Sequence, residues 1–489
     1  MEEFNGYQGN KKILLFTTFA FFLTFVVWFN MAPFTTTIMA ALHLSKAEVG
    51  ILMSFNVALT IPARIAIGLL VDQFGPRRTY SALLILMSIP CFFFSFGNTF
   101  WQLFISRIFL GIIGAGFVIG IRMVSEWFPE KHIGLAEGIY GGWGNFGSAA
   151  AAFSLPLIAL WMGGENGWRY AICLTGILSL IYGFIYYFSV QDVPNGKPYR
   201  LVKRRGAIEV TSLNGLLGLM IMTFPVYGIL GVLTWKLETA SIISMKIAVV
   251  LYGALAVLYL ANLSKIWTDN QEVFGNEIPE NERYSFRQVA ILNLAYLITF
   301  GSELAVVSML PMFFQQTFHL SVAKAGMIGA SFAFTNLVAR PLGGFLSDRF
   351  GRKKMLLILL LGLSISYIGM SFISSEWPIF LAILLTMLCS IFVQAGAGSV
   401  FSMVPLIKKK ITGQVSGMVG AYGNIGGVIF LTILGFVTSS IFFMVIGSTA
   451  FLCFVAAIFL EEPSERECVY DPKEIKQKIT VSTVRKGFD

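Results

Sequence analysis

The stretch of sequence that decides the fold occurs twice. Residues 68–78 read GLLVDQFGPRR, and residues 344–354 read GFLSDRFGRKK, 276 positions later. The same shift pairs residues 44–50 (LSKAEVG) with residues 320–326 (LSVAKAG), and it pairs Arg64 with Arg340. One constant shift over this length indicates an internal duplication rather than a chance motif.

A second pair of segments extends the duplication. Residues 141–147 read GGWGNFG and residues 420–426 read GAYGNIG, with a shift of 279. The chain is therefore predicted to consist of two related halves in the same orientation. Parallel halves with a binding site between them, near the middle of the membrane, are a transporter architecture.

Composition places the duplicated chain in a membrane. Its 489 residues are 56% hydrophobic and only 12% charged, and the mean hydropathy is +0.75. An average soluble domain carries roughly 25% charged residues. The apolar residues here recur in runs of about 20, the length that crosses a bilayer. A soluble enzyme is excluded, and no segment is long enough to form a basic face for nucleic acid.

No pattern in the sequence indicates a metal, a disulfide or a cofactor. The cysteines are scattered, without CxxC spacing, at Cys91, Cys173, Cys389, Cys453 and Cys468. The three histidines (His43, His132 and His319) fall at the ends of predicted spans. No glycine-rich stretch has the Lys-Ser/Thr of a phosphate loop. Energy for transport must therefore come from an ion gradient, either directly or by exchange.

We predict an all-α polytopic membrane protein of about fourteen spans, arranged as six, two and six. The first six spans are 13–34, 47–71, 79–97, 100–124, 134–162 and 169–189. The last six are 288–313, 322–346, 355–373, 378–404, 413–437 and 440–460. Two central stretches, 213–234 and 242–261, are predicted to cross as well. The alternative is a pair of interfacial helices, since charged residues crowd their junction.

These spans divide the chain into four predicted parts. Residues 1–190 form the first six-helix half and 288–462 the second, in a pseudo-two-fold relation. Residues 191–287 form an insert with a cytoplasmic linker, and 463–489 form a tail. Basic residues concentrate in alternate loops, among them 198–206, 349–354 and 408–410. The positive-inside rule then places both termini in the cytoplasm. The membrane is expected to be the plasma membrane.

Several of these motifs resemble a known family. The twice-present loop G-x3-D-x2-G-[RP]-[RK]-[RK] and the pattern Arg107-x3-Gly111-x2-Gly114-x-Gly116 resemble the major facilitator superfamily. The two Gly–Asn segments, with Arg64 and Arg340, resemble its nitrate/nitrite porter family. The chain length, the insert and the segment 300–304 (FGSEL) are most similar to cyanobacterial nitrate permeases. The insert departs from the compact bacterial exchangers of that family.

The two repeated arginines are the principal candidates for substrate binding. Arg64 and Arg340 lie deep within their predicted helices, where a mid-bilayer arginine costs at least about 2.5–3.5 kcal/mol. An anion between the two guanidinium groups would offset that cost. Nitrate and nitrite are small, flat monoanions whose oxygens suit paired N–H donors, and the resemblance implies this role. The alternative is a pair of gating salt bridges to acids on other helices.

Amide and aromatic side chains complete the predicted substrate site. Asn145 and Asn424 lie among glycines that allow close helix approach and can donate to nitrate, or they can simply bond a neighbouring carbonyl group. The resemblance implies that Tyr296 and Phe300, joined by Phe29 or its neighbour Trp28, sandwich the planar anion. Packing against lipid or core is the alternative for these rings.

Glu303 is the candidate for proton coupling. It lies about two turns beyond Tyr296 within the same span. A buried carboxyl group can take up a proton on one side of the membrane and release it on the other. The resemblance to the proton-coupled branch implies symport with Glu303 as a carrier. The alternative is that Glu303 neutralises Arg64 or Arg340.

A third group of residues is predicted to act as a gate rather than as ligands. Arg122 and Glu126 stand one turn apart near the end of the fourth span, and we expect them to form salt bridges with Asp72 and Asp348 that close the cytoplasmic side. The repeated loops contribute the basic gate residues Arg77 and Arg352.

The function predicted from these residues and the resemblance is import of nitrate, and of nitrite, by alternating access. Protons are the expected coupling ion, and the transporter is expected to act as a monomer without a cofactor. Three alternatives remain open: a nitrate/nitrite antiporter, a membrane protein that senses nitrate without transporting it, and an anion channel.

Overall fold

The computed structural model describes residues 10–194, 206–275 and 283–462. These residues form helices joined by turns, and no strand occurs among them. Most of the basic loop 198–206, part of the linker, and the tail with Cys468 lie outside the described residues. The four described cysteines are free, and His132 and His319 lie at helix ends.

The helices follow the predicted order of half, insert and half. The first half contains α1 Lys11–Phe29, α2 Thr35–Ala41, α3 Lys46–Phe55, α4 Thr60–Phe74, α5 Pro76–Phe96, α6 Phe100–Leu110, α7 Gly116–Trp127, α8 Ile133–Met162 and α9 Gly167–Ser189. The insert contains α10 Leu213–Thr239, α11 Met245–Asp269 and α12 Glu272–Gly275. The second half contains α13 Phe286–Phe318, α14 Val322–Phe334, α15 Asn336–Phe350, α16 Arg352–Met370, α17 Ile379–Ile407, α18 Thr412–Leu434 and α19 Ser439–Ile458.

Twelve helical stretches in the described residues are long and apolar enough to cross a membrane. They include α10 and α11 of the insert. The second span of each half is not among the twelve, because it is interrupted: α3 stops before α4 at residues 56–59, and α14 stops before α15 at Thr335. The two interrupted stretches, Lys46–Phe74 and Val322–Phe350, occupy equivalent positions in the repeat.

The repeated loops owe their shape to glycine. Gly75 ends α4 at φ +86° and Gly351 ends α15 at φ +97°, a backbone conformation that glycine adopts without steric cost. Pro76 then starts α5 at a first-turn position, where proline needs no N–H partner. The change of repeat shift from 276 to 279 falls in the segment after α16, because eight residues separate α16 from α17 but only three separate α5 from α6.

The two halves meet along two equivalent helix pairs, α4 with α18 and α8 with α15. Glycines bring the backbones together: a Cβ atom added to Gly68 would lie 2.3 Å from the carbonyl oxygen of Gly413. In the other pair, a Cβ on Gly344 would lie 1.9 Å from the carbonyl oxygen of Gly134. Small residues at a helix interface permit such close approach.

The insert packs against the second half. Helix α10 contacts α13 and α18, and the Tyr422 hydroxyl on α18 donates to the carbonyl oxygen of Met222 at 2.8 Å. The segment before α10 is bound to the same half, since Lys408 pairs with Glu209 at 3.2 Å. Helix α11 packs on α10 and exposes most of its apolar surface. The central stretches are therefore long helices beside the second half.

Candidate functional site

The two repeated arginines are brought to the interface between the halves. Arg64 on α4 and Arg340 on α15 are each only 1% exposed. Arg64 donates to the carbonyl oxygens of Gly114 (3.3 Å, first half) and Gly420 (2.6 Å, second half). Arg340 donates to the Tyr296 hydroxyl at 3.1 Å. The guanidinium groups are close enough to repel each other, so the pair concentrates positive charge in a buried place.

Three aromatic rings lie beside the two arginines. Tyr296 and Phe300 on α13 stack on one another with an interplanar angle of 1°, and Tyr296 is likewise parallel to Phe117 on α7, at a centroid distance of 6.1 Å. The Arg64 guanidinium carbon lies 5.5 Å from both the Phe117 and the Phe300 centroids. Arg340 lies 5.4 Å from the Phe117 centroid. Ring faces attract cations at such distances, so these rings help to hold both charges in place.

The Gly–Asn segments pack against the two arginine side chains. A Cβ on Gly141 of α8 would lie 2.6 Å from Arg340 Nε, and a Cβ on Gly420 of α18 would lie 3.2 Å from Arg64 Cδ. Each glycine therefore lets one helix lie directly on an arginine side chain. Asn145 and Asn424 follow these glycines by four residues, which places them on the same helix face. The equivalent arrangement in both halves reflects the duplication.

Three buried hydrogen-bond donors beside the arginine pair have no partner among the described residues. The Nη1 group of Arg340 and the side-chain amide nitrogens of Asn145 and Asn424 have no hydrogen-bond partner within the described part of the chain, although all three side chains are buried. Buried polar groups are normally paired, and an unpaired one costs free energy. Three unpaired donors beside two positive charges form a site suited to an anion with several acceptor oxygens.

Glu303 lies next to this site but is held by a neutral group. Asn336 on α15 donates to its Oε1 at 3.1 Å, while its Oε2 has no hydrogen-bond partner among the described residues. The carboxyl group is 8% exposed and is attracted electrostatically to Arg340. The geometry is compatible both with a proton-binding group and with partial neutralisation of Arg340.

The role predicted for Phe29 stays a prediction. Its ring contacts Phe25 and Trp28 of its own helix, at centroid distances of 5.7 and 5.0 Å. The Trp28 indole N–H donates to the carbonyl oxygen of Asn56, and its ring lies beside Gly114, whose carbonyl oxygen accepts from Arg64. The first-half ring that contacts both arginines is that of Phe117 on α7.

Asp72 connects the two halves at the end of the bundle that carries the repeated loops, here called the repeat-loop end. Its carboxylate accepts from the backbone N–H groups of Gly413 (3.0 Å) and Gln414 (2.9 Å) at the start of α18. A helix N-terminus favours a negative group. Arg122 pairs with Asp72 at 3.3 Å and with Glu126 at 3.0 Å, as predicted.

Asp348 makes the equivalent connection in the other direction. It accepts from the backbone N–H of Leu135 on α8 at 2.9 Å. Its salt bridge is to Arg352 at 3.0 Å and not to Arg122, which corrects the predicted pairing. Arg352 also donates to the carbonyl oxygen of Glu130, in the first half. Each aspartate therefore caps the first turn of a helix in the opposite half.

Arg77 differs from its predicted role as a gate residue. Its side chain donates to the carbonyl oxygen of Tyr187 at 2.6 Å, and its backbone N–H donates to Asp192 at 2.7 Å. Both partners belong to the first half, so Arg77 ties α5 to the end of α9. Arg352, in the other repeated loop, reaches across the interface instead.

Two residues of this region were missed by the sequence-based reasoning. Phe117 carries no local signal, because aromatic residues make up 15% of the chain. Glu137 on α8 is 1% exposed and near Arg340. An acidic residue one turn before Gly141 was the available signal.

Comparison with known proteins agrees with this architecture. The sequence profile of the Major Facilitator Superfamily matches residues 17–270 and 292–486. The chain belongs to that superfamily. The curated relatives narrow the assignment: "Nitrate/nitrite transporter NrtP" of Nostoc punctiforme is 48% identical over 468 residues, which are 94% of each chain. The protein of the same name from Picosynechococcus sp. is 46% identical, again over 94% of both chains.

These relatives confirm the resemblance to the nitrate/nitrite porter family and its cyanobacterial members. Among solved structures, the human organic anion transporter MFSD10 superposes with a TM-score of 0.61 at 14% identity. The match covers 91% of this chain and 99% of that chain. At this identity the likeness concerns the fold alone, which is that of a Major Facilitator Superfamily porter.

Proposed function

We propose that this porter imports nitrate, and also nitrite, across the plasma membrane by alternating access of the site between Arg64 and Arg340. The observation that carries the proposal is the set of unpaired buried donors on Arg340, Asn145 and Asn424 beside two guanidinium groups. The relatives' names, which specify nitrate and nitrite, support the same substrates.

The shape of the anion fits this donor set. Nitrate is planar, so its oxygens can accept in one plane from guanidinium and amide N–H groups. The rings of Tyr296, Phe300 and Phe117 are parallel and lie next to the guanidinium groups, an arrangement suited to a flat anion. A tetrahedral oxyanion such as sulfate is thicker and doubly charged, so we expect it to be rejected.

We propose that the repeat-loop end faces the cytoplasm and that the observed contacts hold it closed. Arg64 lies two turns before Asp72 on α4, about 12 Å along the helix axis. Closure by Asp72 and Asp348 on the cytoplasmic side would leave the anion site to be reached from outside. The basic loops support this orientation through the positive-inside rule, and it places both termini in the cytoplasm.

The proposed topology has fourteen crossings. The interrupted stretches Lys46–Phe74 and Val322–Phe350 each extend about 43 Å at helical rise, enough to span a bilayer. Added to the twelve uninterrupted stretches, they keep an even number of crossings. In this proposal the halves rock as units and α10–α11 moves with the second half, and a single chain suffices as the functional unit.

Binding of nitrate is tested most simply by thermal unfolding of the purified protein. A ligand at 100 times its Kd stabilises the folded state by about 2.7 kcal/mol. We expect nitrate and nitrite to raise the melting temperature at constant ionic strength, and chloride or sulfate to leave it unchanged. Equal shifts with all four anions would remove the case for a nitrate site.

Coupling to protons is the second part of the proposal. An anion entering a cell with a negative interior must be accompanied by a cation or exchanged for another anion. Glu303, within electrostatic reach of Arg340, supports the first possibility. Its protonation would lower the negative charge near the site when nitrate binds and would carry a proton with the anion.

The variant Glu303→Gln tests this role. We expect it to bind nitrate but to move fewer protons per anion, because glutamine keeps the shape of the side chain without its exchangeable proton. Simultaneous recording of nitrate uptake and internal pH in proteoliposomes gives this ratio. A variant that concentrates nitrate with undiminished proton influx would reject the coupling role. Glu376→Gln, in the exposed segment after α16, serves as the matched control.

A further inference from the structure

Glu137 is a buried acid that the transport scheme so far does not use. It lies on α8, one turn before Gly141, and is 1% exposed. Neither Oε1 nor Oε2 has a hydrogen-bond partner within the described ranges of the chain. An ionised carboxylate without partners in an apolar interior is very costly in free energy. Such a group is therefore neutral until its surroundings change.

Arg340 is the positively charged residue that lies near Glu137. The two side chains attract each other electrostatically. Their helices touch here, since a Cβ on Gly138 would lie 2.7 Å from the carbonyl oxygen of Arg340. Tyr140, on the same helix, also interacts with Glu137. Its hydroxyl donates to the carbonyl oxygens of Gly116 and Phe117, at 3.1 and 3.0 Å.

Besides Arg340, the elements packed on α8 carry further ionisable groups. On α15, Asp348 is bound to Leu135 and Arg352, and on α7, Arg122 and Glu126 are paired with each other. Cys389 is the one ionisable residue of α17. The remaining ionisable residues on these elements are Arg349 of α15, Lys11 and Lys12 of α1, Arg169, Tyr170, Cys173, Tyr182, Tyr186 and Tyr187 of α9, Lys324 of α14, and Glu130, Lys131 and His132 of the turn before α8.

The position of Glu137 along α8 is between the substrate site and the gate. Towards the repeat-loop end, α8 and α15 are in backbone contact at Gly134 and Gly344, and Asp348 binds Leu135. Towards the middle of the membrane, Gly141 lies on the Arg340 side chain. Separation of α8 from α15 at the repeat-loop end would therefore open Glu137 to the cytoplasm before, or together with, the anion site.

We propose that Glu137 is a second proton-binding site, on the cytoplasmic side of Arg340, whose deprotonation drives release of the anion. This inference rests on the proposed proton-coupled transport of nitrate. In the closed state the carboxyl group carries its proton. When the gate opens, the O–H bond breaks and the proton passes to cytoplasmic water. The carboxylate then pairs with Arg340 in place of nitrate, so the exchange at Arg340 replaces one monoanion by another.

The cycle closes when the empty carrier returns. Glu137 regains a proton from the outer side through the empty substrate site, and Arg340 is again available for nitrate. One proton then enters with each nitrate by way of Glu137, in addition to any carried by Glu303. This scheme predicts a dependence on internal pH that a merely structural acid would not produce.

The test measures how far reconstituted protein concentrates nitrate when only a pH gradient drives it. With the membrane potential clamped at zero, each coupled proton contributes about tenfold in the nitrate ratio per unit of pH difference. We expect Glu137→Gln to lower that ratio about tenfold relative to wild type, while nitrate–nitrate exchange continues. Glu165→Gln, in the exposed turn before α9, should match wild type.

The outcomes separate this inference from the proposal on which it rests. If wild type fails to concentrate nitrate under the pH gradient, proton symport itself is wrong. If wild type concentrates nitrate and Glu137→Gln does so equally well, only the role of Glu137 is overturned. Should Glu137→Gln lose exchange altogether, Glu137→Asp decides: a shifted dependence of nitrate release on internal pH supports the inference, and a wild-type profile overturns it.

Discussion

Replacing Arg340 or Arg64 by lysine is expected to reduce nitrate uptake to background, although the positive charge is retained. Lysine is a point charge and lacks the planar pair of N–H donors. A hydrogen bond to a charged group contributes about 1.5–3 kcal/mol, so losing one lowers affinity about 10- to 150-fold. Arg64→Lys also breaks the bonds to Gly114 and Gly420 that hold the side chain across both halves.

Uptake of labelled nitrate into proteoliposomes and nitrate-dependent thermal stabilisation are the two measurements. Arg349→Lys provides a control on the same helix as Arg340, at an exposed position. It should transport like wild type. Wild-type uptake by either lysine variant of the buried pair would contradict the paired-donor description of the site.

Gly344→Ala is expected to abolish nitrate uptake because it prevents closure of the gate, and not because it alters the substrate site. A Cβ at this position would lie 1.9 Å from the carbonyl oxygen of Gly134, so the helices must separate. Overpacking of this kind costs about 1–3 kcal/mol, which shifts the balance away from the closed state about 5- to 150-fold. The transporter would then remain open at the repeat-loop end.

Access of a membrane-impermeant reagent from the cytoplasmic face measures this shift, and nitrate-dependent stabilisation checks that the site is intact. Gly326→Ala is the matched control, because nothing lies within 4 Å of a Cβ placed there. Normal uptake by Gly344→Ala would show that the observed closure is not a required state of the cycle.

Much of the architecture could be predicted from the sequence, because the duplication relates the two halves by nearly constant shifts in residue number. The shifts of 276 and 279 place Arg64 opposite Arg340 and each Gly–Asn segment on an arginine. Asp72 and Arg122 were paired correctly, since acidic and basic residues are rare within apolar runs and have few possible partners.

The errors concern residues whose partners are set by helix packing. Phe117 is one of many aromatic residues in apolar helices, and only its rotation about the helix axis turns it towards the arginines. Arg77 and Arg352 both lie in the repeated loops, but Arg77 binds Tyr187 at the end of α9 and Asp192 just after it, within the first half. The proximity of Glu137 to Arg340 could not be predicted from the sequence, because it depends on the packing of α8 on α15.

The measurement that tests the central claim most directly is uptake of labelled nitrate by the reconstituted protein with an imposed inward proton gradient and no internal nitrate or nitrite. The account predicts saturable accumulation above equilibrium that a protonophore abolishes and that chloride does not inhibit. Uptake that requires internal nitrite and ignores the proton gradient would establish exchange and contradict symport. No uptake under either condition would contradict transport of nitrate by this site.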